Sequence, residues 1–66
     1  MNIRLNGEER EIADKTTVMD LLDEMGVERA GTAVAINGAI VPRDGHESRT
    51  LEADDAVDVL RPIGGG

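Results

Sequence analysis

Few side chains in this 66-residue sequence could do chemistry, and their spacing argues against most of them. His46 is the only histidine. An imidazole can serve as a general base or metal ligand near neutral pH. Here it stands between Gly45 and Glu47 in a polar run that reads as plain surface loop. Ser48 is too near in sequence to form a catalytic pair with it, and no Gly-x-Ser-x-Gly elbow surrounds that serine. Asp54, Asp55 and Asp58 cluster behind Glu52. A calcium loop needs oxygen ligands at defined offsets and a glycine at its bend. This cluster lacks that pattern and reads as a solvated turn leading into a strand. Asn37-Gly38-Ala39 lacks the further glycines of a phosphate cradle. The chain has no cysteine, which excludes disulfides, thiolate zinc sites and iron–sulfur clusters. It has no aromatic residue on which a base could stack. Fourteen acidic residues against seven basic ones give a net charge of −7. Such a surface repels phosphate backbones and anionic lipid, so no nucleic acid and no membrane partner is expected.

What remains is the end of the sequence. Eight residues are glycine, and Gly64, Gly65 and Gly66 are the last three. Glycine in a strand or helix costs backbone entropy and offers nothing to pack, so this run is not part of a core. One reading is a frayed terminus or an expression scar. The other is a thin thread that enters a channel too narrow for side chains. From Pro62 to Gly66 it would reach roughly 16–18 Å. Its reactive group is the α-carboxylate of Gly66. A carboxylate is inert until activated; attack on the α-phosphate of ATP gives an acyl-adenylate, from which a sulfur or nitrogen nucleophile displaces AMP. The composition is consistent with this: no nucleophile of its own, no base, but an accessible carboxylate.

A thread needs a body. Met1, Ile3 and Leu5 alternate with Asn2, Arg4 and Asn6, the period of a half-buried strand. Asn6-Gly7 predicts a hairpin, with residues 8–13 returning as a charged edge strand. Thr17 and Asp20 form a capping box ahead of Val18, Leu21, Leu22 and Met25, one apolar face of a helix that Gly26 ends. Residues 32–37 read as a strand with Val34 and Ile36 inward. Asn37-Gly38 turns it into Ile40-Val41, and Pro42 stops the pairing. Residues 43–49 read as loop, Thr50-Leu51 as a short strand, residues 52–55 as a turn and residues 56–61 as the last strand, with Val57 and Val59 inward. The order is ββαββ. It calls for an α+β fold, a mixed four- or five-stranded sheet packed on one helix, with the first and last strands parallel at its centre. Roughly 15 aliphatic side chains would fill the core, each contributing about 1.5–3 kcal/mol on burial. Residues 1–62 form the domain and residues 63–66 the glycine tail. No apolar run is long enough for a signal peptide or a membrane span, and a cytoplasmic location is expected.

This order, together with the glycine end, resembles the ubiquitin-like sulfur carriers of the β-grasp fold, and most closely the ThiS family of thiamine sulfur carriers. The residues that carry the resemblance are Asn6-Gly7, Thr17-Val18 with Leu21-Leu22, residues 33–37, Ile40-Val41-Pro42-Arg43 and Gly65-Gly66. It spans the whole chain. The Val-Pro-Arg run favours ThiS over the small subunit of molybdopterin synthase. The chain departs at His46, where the family often has an aromatic residue, and at Asp54-Asp55, where it often has Gly-Asp. The resemblance implies that a ThiF-like adenylating enzyme uses ATP and magnesium to activate Gly66. It also implies that sulfur from a cysteine desulfurase makes the thiocarboxylate and that a ThiG-like thiazole synthase takes the sulfur. On this resemblance the protein is a cosubstrate and not an enzyme, and no cofactor is expected on the chain itself.

The sheet face away from the helix is the expected docking surface. It should carry Asn2, Arg4, Ala33, Ala35, Asp58 and Leu60. Leu60, out of phase with Val57 and Val59, would form an apolar anchor with the alanines and with Ile63, while Gly64 and Gly65 enter the partner. Other readings share the glycine end: a sulfur carrier for molybdopterin or tRNA thiolation, a protein modifier joined to lysines, and a non-covalent binding module.

Overall fold

In a computed structural model, which describes residues 1–28 and 31–60, the two Asn-Gly pairs set the architecture. Asn6 and Gly7 have φ of 49° and 84°, and Asn37 and Gly38 have φ of 52° and 86°. Positive φ at both central residues matches the turn to the right-handed twist of the strands on either side. Each pair therefore closes a tight antiparallel hairpin. β1 (Asn2–Leu5) pairs with β2 (Glu8–Glu11), and β3 (Ala33–Ile36) pairs with β4 (Ala39–Val41). β5 (Ala56–Leu60) lies between the hairpins, parallel to β1 and antiparallel to β3, in the sheet order β2-β1-β5-β3-β4. Of the four or five strands expected, five form, in the order ββαβββ, and the first and last are parallel at the centre of a mixed sheet as expected. Arg61, at the end of the expected last strand, lies outside the described residues.

The helix α1 (Val18–Met25) begins and ends as its residues dictate. The Asp20 N–H donates to Thr17 Oγ1 at 3.1 Å, and the Thr17 N–H donates to Asp20 Oδ2 at 3.2 Å. Gly26 closes the helix in the left-handed conformation. Val18, Leu21 and Leu22 of its inner face are fully buried. They pack with Ile3, Leu5, Ile12, Val34, Ile36, Leu51, Val57 and Val59, and Met1, Met25, Val27 and Val41 are partly buried against that cluster. The helix covers one face of the sheet and leaves the other open.

Two segments differ from the sequence reading. Thr50-Leu51 is not a strand: Thr50 makes one isolated bridge to Thr17, and Leu51 turns into the core. Its partner becomes helix at the next residue, so no ladder can extend. Residues 43–49 are not a free loop either. They contain a 3-10 turn at Arg43–Gly45 and then cap the helix. The Val18 N–H donates to the Arg49 carbonyl at 3.0 Å and the Met19 N–H to the His46 carbonyl at 2.9 Å. These are two of the donors that a helix N-terminus leaves without internal partners. No helix among the described residues is long and apolar enough to cross a membrane.

Candidate functional site

Strand registry sorts the open face into two halves. On β1 and β2 the outward residues are Asn2 and Arg4, opposite Glu11 and Glu9. This half is charged. On β5, β3 and β4 the outward residues are Leu60 opposite Ala33, then Asp58 opposite Ala35, which in turn faces Ile40. Leu60 is 60% exposed and Ile40 is 66% exposed, the two exposed large hydrophobics among the described residues. The structure therefore brings Leu60, Ala33 and Ala35 together as expected. Arg4 shares the face but not the apolar half. It aligns with Ala56, so it lies about 13 Å back along β5 from Leu60.

Ile40 was missed by the sequence reading, although the signal was present. The two-residue turn at Asn37-Gly38 sets the register, and that register puts Ile40 opposite Ala35 on the outer face. Ile40 also borders a shallow groove of about 510 Å³, together with Ala39, Val41 and Pro42.

Three polar side chains hold β5 in position. Asp55, read as part of a solvated turn, is only 5% exposed. Its Oδ2 accepts from the Glu52 N–H at 2.8 Å and its Oδ1 from Asn37 Nδ2 at 3.1 Å. Both carboxylate oxygens are used, which is the condition for burying an acid. Asn37 Oδ1 accepts from the Ala56 N–H at 3.0 Å, and Asn6 Oδ1 from the Val59 N–H at 2.8 Å. Asp54 stands at φ 68°, a left-handed position that favours glycine.

His46 is also not the surface residue expected. It is 2% exposed, and neither ring nitrogen has a hydrogen-bond partner. The Ser48 hydroxyl reaches the Gly45 carbonyl at 3.4 Å instead of the imidazole. A base needs a partner to orient it, and His46 has none. It borders a cavity of about 660 Å³ together with Met19, Val27, Arg43, Asp44 and Glu47. No group of three or more His, Asp or Glu residues among those described is arranged to hold a metal. Ile63, Gly64, Gly65 and Gly66 lie outside the described residues. The described part of the site is thus the apolar half-face and the strand that leads from it toward them.

A mixed five-stranded sheet grasping one helix, with an open face beside the last strand, defines a ubiquitin-like β-grasp protein. Residues 3–66 match the model of the ThiS family. The chain is 33% identical over 66 residues to the sulfur carrier protein ThiS of Escherichia coli, covering all of both chains. The crystal structure of a thiamine biosynthesis protein (ThiS) from Geobacter metallireducens superimposes with a TM-score of 0.84 at 32% identity, again over all of both chains. A thiazole synthase of Paramagnetospirillum magneticum is 36% identical over 66 residues, which are 100% of this chain but 20% of that protein. The chain therefore spans about a fifth of the length of that relative. It belongs to the ThiS family.

Proposed function

We propose that the chain is a sulfur carrier of thiamine biosynthesis, a protein cosubstrate and not a catalyst. The observation that carries this reading is the extent of the family match, which runs through the glycine end to residue 66. The Gly66 carboxylate attacks the α-phosphate of ATP on a ThiF-like enzyme that supplies the magnesium site, and pyrophosphate leaves. A sulfur nucleophile, drawn from a cysteine desulfurase or another donor, then adds to the acyl carbon and displaces AMP. Where that nucleophile is a persulfide, its terminal sulfur becomes bonded to the acyl carbon as an acyl disulfide; a second thiol on the donor side then attacks the donor's own sulfur, forms a disulfide there, and the Gly66 thiocarboxylate leaves. The chain needs no base or metal of its own for these steps.

A ThiG-like thiazole synthase is the sulfur acceptor in this reading. In the Paramagnetospirillum relative, a segment matching this whole chain is joined to the rest of a thiazole synthase. Covalent joining of two units is one way to raise their effective concentration for each other, and it supports the same pairing between separate chains. Leu60, Ala33, Ala35 and Ile40 form the apolar anchor for the partner, with Ile63, Gly64 and Gly65 leading into its channel. Arg4 with Glu9 and Glu11 lies on the charged margin, where it affects encounter more than affinity.

The direct test is the intact mass of the full chain after incubation with a ThiF-like enzyme, ATP, magnesium and a sulfur donor. The expected product has one oxygen replaced by one sulfur at Gly66. An unchanged mass with an enzyme set that is active on its own carrier would sink the reading. A thiazole requirement in a deletion strain separates this pathway from molybdopterin synthesis and tRNA thiolation.

A further inference from the structure

The two Asn-Gly turns share a feature that turn chemistry does not explain. Asn-Asn, Asn-Gly, Asp-Gly and Gly-Gly all close such a turn, because each tolerates positive φ. Yet each asparagine here also places its carboxamide oxygen on β5. Asn37 holds the start of the strand, at the Ala56 N–H. Asn6 holds its end, at the Val59 N–H.

The end is where the chain needs help. β5 runs on to Leu60, and on its β3 side pairing is kept that far, at Ala33. On its β1 side the last paired residues are Leu5 and Val57. The Asn6 N–H donates to the Val57 carbonyl at 2.8 Å, and the backbone then turns away. The next N–H of β5 on that side is Val59, a residue only 6% exposed. A buried donor left without an acceptor is costly. Asn6 Oδ1 takes the place of the missing strand residue at 2.8 Å, across 53 positions of sequence.

We infer that Asn6 is a positioning residue for activation of the glycine end: its side chain extends the β1–β5 ladder by one rung and holds Val59 and Leu60 in the sheet, which fixes where the chain leaves the domain. This rests on the sulfur-carrier reading. Without the rung, Val59 and Leu60 are held from the β3 side alone and fray. A partner that grips Leu60 must then order them on binding. That cost falls on KM and not on kcat, because the saturated complex is ordered in either case.

The test compares three variants of the full chain. Asn6→Gly keeps the turn and removes the acceptor, Asn6→Asp keeps both, and Asn37→Gly removes the matching grip at the far end of β5. ATP–pyrophosphate exchange catalysed by a ThiF-like enzyme reads activation, and amide hydrogen exchange at Val59 reads the rung. In Asn6→Gly, Val59 exchange should accelerate at least about tenfold, and KM should rise about fivefold with kcat unchanged. Asn6→Asp should restore both values to within about twofold of the parent. Asn37→Gly should lower the Tm but leave KM alone. An unchanged KM in Asn6→Gly, with parental activation normal, overturns the role of Asn6 only. So does an equal rise in KM for Asn37→Gly, which would make the effect one of general stability. A parental chain that the enzyme does not activate overturns the sulfur-carrier reading, and the role of Asn6 with it.

Discussion

The same strands present two faces, and the faces differ in what they do. Within β5, Val57 and Val59 are buried to 0% and 6% exposure, while their neighbour Leu60 is 60% exposed. The helix-covered face excludes water and holds the domain together. The open face collects Leu60, Ala33, Ala35 and Ile40, none of which belongs to the buried core. A 66-residue domain has little apolar surface to spare. Leaving two large aliphatic side chains in water therefore points to a use outside the fold. A strand of period two lets one segment serve both purposes without compromise, because a substitution on one face does not reach the other.

The largest effect should come from the inner face. Leu21→Ala leaves a cavity under the sheet and should cost about 2–5 kcal/mol in urea unfolding. A loss below about 1 kcal/mol would break the contrast from that side. On the outer face, Leu60→Glu combined with Ile40→Glu should leave the unfolding free energy within about 0.5 kcal/mol of the parent. The same pair should raise KM for adenylation about tenfold or more. Lost stability with an unmoved KM would reverse the assignment of the faces. The smallest effect should come from His46→Leu, which replaces an unpartnered buried ring by an apolar side chain of similar size. It should leave thiocarboxylate formation unchanged and the Tm equal or slightly higher, by up to about 1 kcal/mol of stability. Lost sulfur transfer at an unchanged Tm would move His46 from the structural side to the chemical one.

Much of the fold is legible in the sequence because its signals are local. Asn6-Gly7, Asn37-Gly38, the Thr17 and Asp20 capping box and the Gly26 cap each act within a few residues, and all stand where their chemistry puts them. The alternation of Val57 and Val59 with Asp58 and Leu60 likewise fixes both faces of β5. What escapes depends on distant partners. His46 is buried because its segment docks on the helix N-terminus through Val18 and Met19, and a run of polar residues does not announce that contact. Asp55 can be buried because Asn37, eighteen residues away, answers one of its oxygens. Thr50-Leu51 has the composition of a strand but meets a partner that has already become helix.

The parallel pairing of β1 with β5 also has a mechanical consequence. The two strands run in the same direction, so β1 begins at one end of the sheet and β5 finishes toward the other. Force applied between residue 2 and residue 60 would load their hydrogen bonds in shear. The bonds from Arg4 to Asp55, from Asn6 to Val57 and from Val59 to Asn6 would share the load at once instead of opening in turn. Load carried between the start of β1 and the end of β5 therefore falls on these bonds together, so the pairing resists it as a unit.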